Sequence, residues 1–154
     1  MNIKRISLFI IFCLITIFVS CKSNSVEKEN MIFIMVYDYD SKEVNDVEIY
    51  VDSKCIGRTD IYGRFILPKE DTYKELILKK LNYEDIKVII NEDINQFLYI
   101  KMGSASYYAH MSEKFLDQKE YQKANDFIKK ALTINDRKDY RLLEKIILKG
   151  IENE

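Results

Sequence analysis

The hydrophobic pattern changes its period at Gly103, and that change sets the architecture. Before it, short apolar runs recur at roughly ten-residue spacing between turn-forming residues, and several alternate apolar with polar. After it, apolar residues fall at three- and four-residue intervals. A period of two lays side chains on opposite faces of a strand, and a period of 3.6 lays them along one side of a helix. The expected fold class is therefore α+β with segregated halves. A small antiparallel β-sandwich of about seven strands over residues 31–102 is followed by a three-helix unit over 104–154.

The strands can be placed from their flanks. Met31 to Tyr39 reads as an apolar run suited to a buried strand, and residues 40–46 (DSKEVND) as a polar connection. Val47, Ile49 and Val51 alternate with Glu48, Tyr50 and Asp52, which buries one face. Ser53-Lys54 reads as a tight turn, Cys55 to Thr59 as a short strand, Asp60 to Gly63 as the next turn and Arg64 to Leu67 as the strand after it. Leu76–Leu81, Asp85–Ile90 and Phe97–Met102 complete the set.

In the helical half, Ser104 or Ser106 can cap a first helix with Tyr108, Met111 and Phe115 on one face. Asp117 to Lys119 makes a short connection. Tyr121, Ala124, Ile128 and Ala131 share a face of a second helix, which Asn135-Asp136 ends. Asp139 is placed to cap a third, whose stripe is Tyr140, Leu143, Ile147 and Ile151, flanked by Leu142 and Ile146.

The N-terminus has a separate purpose. Lys4 and Arg5 precede an uncharged apolar run from Ile6 to Val19, too short for a membrane span of roughly 20 residues. Residues 1–20 read as an export signal. Phe18-Val19-Ser20-Cys21 resembles the lipobox of bacterial lipoproteins, although Phe18 stands where that family usually has Leu. The resemblance implies that the signal is removed and that Cys21 becomes a lipidated first residue, holding the chain on an envelope membrane. Without the resemblance, the same residues allow an uncleaved short anchor or ordinary secretion with Cys21 free. Residues 21–30 are polar and charged without periodicity, as a tether is.

Composition excludes several functions. With 24 basic and 25 acidic residues the net charge is −1, and removal of Lys4 and Arg5 leaves 22 against 25, a net charge of −3. No basic excess marks a nucleic-acid partner. The single His, His110, is too few for most His-rich metal sites. With Cys13 lost in the signal and Cys21 lipidated, Cys55 alone remains, so no internal disulfide is expected. Lys54 and Arg58 are near Cys55 in sequence, but it reads as a half-buried strand residue rather than a reactive thiol. No catalytic residue, metal or cofactor is expected, and the chain is read as a non-enzyme.

One motif stands out. Gly57, Thr59, Asp60, Gly63 and Phe65 form a G-x-T-D-x-x-G-x-F pattern. Its residues make physical sense as a turn. Asp60 can accept hydrogen bonds from backbone N–H groups just ahead, Gly63 can supply a positive φ, and Phe65 can drop into the core. As a metal ligand or general base, Asp60 lacks a partner at useful spacing. The pattern resembles the carboxypeptidase-regulatory-like domain with its transthyretin-like (prealbumin-like) sandwich. Asn82-Tyr83-Glu84 follows where that family usually has Gly-Tyr-Glu, and Asn tolerates the left-handed conformation. The ureide hydrolases among transthyretin-like proteins need several His residues and a C-terminal Tyr-Arg-Gly-Ser motif, which this chain lacks. The resemblance therefore implies an accessory module without an enzyme.

The first two helices resemble one tetratricopeptide repeat over about 105–138. Tyr108 takes the first aromatic position, Met111 the Leu position, Ser112 the small residue that permits close packing, and Phe115 the next aromatic. Ala124 and Ala131 take the two small positions of the second helix, and Asp136 stands where the repeat usually ends in Pro. Residues 139–152 would be a polar-faced capping helix. A lone repeat must lean on the third helix, the sandwich or a second chain. The resemblance implies a groove for protein, with Tyr107, Tyr108, His110 and Tyr121 as its candidate residues. The same side chains also suit plain packing. Lys129, Lys130, Arg137, Lys138 and Arg141 make a modest basic cluster that could meet anionic headgroups, diluted by Asp126, Asp136 and Asp139.

The expected function is thus a non-enzymatic, membrane-anchored lipoprotein of the bacterial envelope, acting as a protein–protein interaction module or scaffold. Its lipid would sit in the inner or outer membrane, with the protein facing the periplasm or the cell surface. Its partners would be the membrane and a protein, with self-association open. The alternative is a surface lipoprotein that binds a glycan or host molecule through its sandwich loops.

Overall fold

The computed structural model describes residues 31–70, 73–90 and 96–153. The expected signal, the lipidation site Cys21 and the tether lie outside the described residues. The described strands are β1 (Met31–Tyr37), β2 (Glu48–Val51), β3 (Lys54–Arg58), β4 (Arg64–Pro68), β5 (Glu75–Lys79), β6 (Ile86–Ile89) and β7 (Phe97–Lys101). Helices α1 (Ala105–Asp117), α2 (Tyr121–Ile134) and α3 (Lys138–Glu152) follow. The segregated α+β order is therefore as the periodicity implied.

The strands form two sheets, ordered β4-β1-β7 and β3-β2-β5-β6. Their facing sides share one core. Ile32, Ile34 and Val36 of β1, with Leu67 and Ile100, meet Ile49 and Val51 of β2 and Leu76 and Leu78 of β5. Burying each such side chain contributes about 1.5–3 kcal/mol. The second sheet is antiparallel throughout. In the first, β1 pairs antiparallel with β4 but parallel with β7, so the sandwich is not wholly antiparallel as expected.

Four local expectations need correction. The first strand ends at Tyr37, because Asp38 turns the chain: its Oδ1 accepts from the N–H groups of Asp40 and Lys42, both at 2.9 Å. β1 also buries alternate residues rather than both faces. The β2–β3 turn is Asp52-Ser53, not Ser53-Lys54. Both residues have positive φ (46° and 71°), the geometry that matches strand twist in a two-residue hairpin. Cys55 lies on β3 as expected, but it is exposed rather than half-buried.

In the helical half, Ser104 is the cap: its Oγ accepts from the Tyr107 N–H at 3.1 Å. α1 packs along α2, and α2 along α3. Asp139 does not cap α3. It sits in the first helical turn and pairs with Arg137 at 2.7 Å. Tyr140 and Ile147 are buried against the hairpin, but the outer face of α3 is less polar than a capping helix implies, since Leu142, Ile146 and Leu148 are exposed.

Candidate protein-binding groove at the sandwich–helix junction

The turn motif is structural in its geometry. The Asp60 carboxylate accepts from the N–H groups of Tyr62 and Arg64, both at 2.9 Å, and from the Arg64 guanidinium at 3.0 Å. Those bonds, the Arg64 backbone N–H foremost, hold its carboxyl below the usual range. Gly63 has a φ of +70°, and a Cβ there would lie 2.5 Å from the Val36 carbonyl oxygen. A Cβ on Gly57 would lie 2.5 Å from the Phe65 ring, which packs on the sandwich core. Thr59 has a role that its sequence position did not reveal. Its buried Oγ1 accepts from the Val47 N–H at 3.0 Å and donates to the Val44 carbonyl at 2.9 Å, tying the β1–β2 connection to the motif.

The residues around Asn82 and Gly103 join the two halves. The Gly103 N–H donates to Glu84 Oε1 at 2.6 Å, and the Glu84 N–H donates back to the Gly103 carbonyl at 2.9 Å. The Ala105 N–H donates to the Asn82 carbonyl at 2.9 Å. Asn82 itself has a φ of 66°, the left-handed conformation that Asn tolerates. Its side-chain oxygen accepts from Asn135 Nδ2 at 2.7 Å, so the end of α2 also touches the sandwich. Tyr108 closes the seam, with its ring over Gly103, where even a Cβ would collide with it. Burial, reinforced by hydrogen bonds to Glu84 and Tyr39, drives the Tyr108 phenol well above its ordinary pKa.

Beside this seam lies a groove of about 720 Å³ between the turn after β1 and the first turns of α1. Tyr39 and Tyr107 form one wall, stacked with ring centroids 5.0 Å apart. His110, Met111 and Lys114 line the helical side, and Asp38, Asp40 and Lys42 the sandwich side. His110 is exposed, 3.9 Å from Glu113. The structure therefore brings Tyr107 and His110 to one groove. It buries Tyr108 behind them and puts Tyr121 elsewhere, packed on Gly150 of α3. Tyr39 is the groove residue that sequence reasoning missed. In sequence Tyr39 reads as part of the first strand, and nothing in that run signals the helix it meets.

The basic cluster is largely engaged within the chain. Arg137 pairs with Asp139 and stacks over Tyr140, Arg141 pairs with Asp136, and Lys130 sits 5.3 Å from the Tyr108 ring. Cys55 Sγ faces the Gly57 carbonyl at 3.8 Å. Among the described residues, no helix is long and apolar enough to cross a membrane.

No family model and no curated protein matches the chain. Among solved structures it is similar to a point mutant of the shaft pilin SpaA from Lactobacillus rhamnosus GG, at 16% identity and a TM-score of 0.33. The similarity covers 49% of this chain and 47% of that one, so the chain spans about half the length of the pilin it matches.

Proposed function

We propose that the chain is a lipid-anchored, non-enzymatic lipoprotein of the bacterial envelope that captures a protein segment in the junction groove. The observation that carries this reading is the stacked Tyr39–Tyr107 pair. It is a rigid aromatic wall, and aromatic side chains of this kind anchor protein interfaces at low entropic cost. The seam of backbone hydrogen bonds beneath it holds the two halves in register, which limits the ordering cost of binding. His110, Lys114 and Lys42 add polar and charged contacts at its rim. The lipobox-like sequence at Cys21 supports the anchor, and the helical hairpin supports likeness to a single tetratricopeptide repeat leaning on α3 and on the sandwich.

Cross-linking of the acylated chain on living cells tests the proposal. One stoichiometric partner is expected. Its loss in a Tyr107→Ala, His110→Glu double variant that keeps the native thermal transition would assign capture to the groove. A chain recovered alone would remove the scaffold reading.

A further inference from the structure

The two outer faces of the sandwich differ. Outside the β3-β2-β5-β6 sheet, charged side chains pair with one another: Glu48 with Arg58, Lys79 with Asp85, and Lys87 with Glu75. Outside the β4-β1-β7 sheet, the side chains are mostly apolar. Phe33 sits in register between Ile66 and Phe97, and Met35 lies beside Tyr99. The Phe33 and Phe97 rings stack at 5.2 Å. Ile66, Phe97 and Tyr99 are 55%, 51% and 69% exposed. A contiguous apolar patch of this kind on one face marks an interaction surface.

The position of the patch identifies its occupant. Its central strand begins at Met31, whose side chain shares the outer face with Phe33 and Met35. Only nine residues, 22–30, separate Met31 from Cys21. Fully extended they reach about 30 Å, at ~3.3–3.6 Å per residue. An anchor at Cys21 would therefore keep this face within one short tether of a bilayer, making contact effectively intramolecular. Exposed aromatic rings suit the headgroup boundary. Lys101 stands on the same face, and Arg64 there is paired with Asp60 at the rim, so that pair adds no net charge.

We infer that the outer face of the β4-β1-β7 sheet rests on the membrane that holds Cys21, an inference that depends on the lipid anchor. This contact would leave the junction groove and the opposite sheet free for protein.

The chain contains no Trp, so one introduced indole is a unique reporter. Acylated full chains carrying Tyr99→Trp, or Phe97→Trp as a second variant, are reconstituted in phosphatidylethanolamine–phosphatidylglycerol vesicles. Ile89→Trp on the other sheet is the control. The account expects blue-shifted emission, quenched by brominated acyl chains, at positions 97 and 99 and not at 89. The mass of the N-terminal peptide reports lipid at Cys21 in the same sample. A lipidated chain whose indole at 99 stays water-exposed overturns the membrane contact and leaves the anchor standing. A blue shift that brominated lipid does not quench, and that fades on dilution, assigns the face to a second copy and also overturns it. A chain without lipid mass overturns the anchor and this inference together.

Discussion

The Ser112 hydroxyl donates a 2.7 Å hydrogen bond to the Ala124 carbonyl, and both residues are fully buried. The bond joins α1 to α2 at a position where their backbones come close, with a small residue on each side. Ser112→Ala should cost about 0.5–1.5 kcal/mol, the net worth of a hydrogen bond. Ser112→Val should cost about 1–3 kcal/mol by overpacking. Urea unfolding followed by circular dichroism checks both, and the order Ala milder than Val is the specific expectation.

Thr59 should be more sensitive than its small size suggests. Thr59→Val keeps the shape but removes the acceptor for the Val47 N–H and the donor to the Val44 carbonyl. A buried N–H left unpaired costs about 1–3 kcal/mol. Thr59→Ser keeps the hydroxyl and should recover most of the loss in the same unfolding experiment.

Asp60 predicts a pH dependence. Its folded carboxyl is held below its ordinary value, chiefly by the Arg64 N–H. The stability this contributes is present above the unfolded carboxyl pKa of about 3.9 and is lost as pH falls through the lower folded value. Asp60→Asn should therefore be less stable than the native chain at neutral pH, with the gap closing in acid. Thermal unfolding across pH 7 to 2 measures it.

The seam predicts coupled unfolding. Because a Cβ on Gly103 would meet the Tyr108 ring, Gly103→Ala must displace the side chain that seals sandwich to helices. We expect a cost of about 1–3 kcal/mol. We expect the native chain to unfold in one transition, and that of the variant to broaden or split as the helices open before the sandwich. Hydrogen exchange should show lost protection at residues 82–84 and 103–108 first.

Much of this was legible in the chain because it depends on local pattern. Apolar runs between turn-forming residues located the strands, Ser104 and Ser106 were the two candidates for the start of α1, and the resemblance to a repeat set Ser112 and Ala124 at its small positions. The turn motif was legible too, since Asp60 and Gly63 act within a few residues. What escaped was set by partners distant in sequence. The parallel pairing of β1 with β7 depends on which edges meet, which no periodicity encodes. The Thr59 bonds reach back 12 and 15 residues. Tyr39 gains its role only by stacking on Tyr107. Tyr108 and Tyr121 suited either a groove or packing in sequence, and their rings pack on Gly103 and Gly150, contacts set by residues 5 and 29 positions away.

The central claim is capture of one protein by a lipid-held module, and cross-linking on living cells followed by mass spectrometry tests it most directly. The account predicts one stoichiometric envelope partner. It also predicts that Tyr107→Ala with His110→Glu abolishes its recovery while the variant stays folded and membrane-bound. Recovery of the chain alone, or of a partner that the double variant retains undiminished, would contradict it.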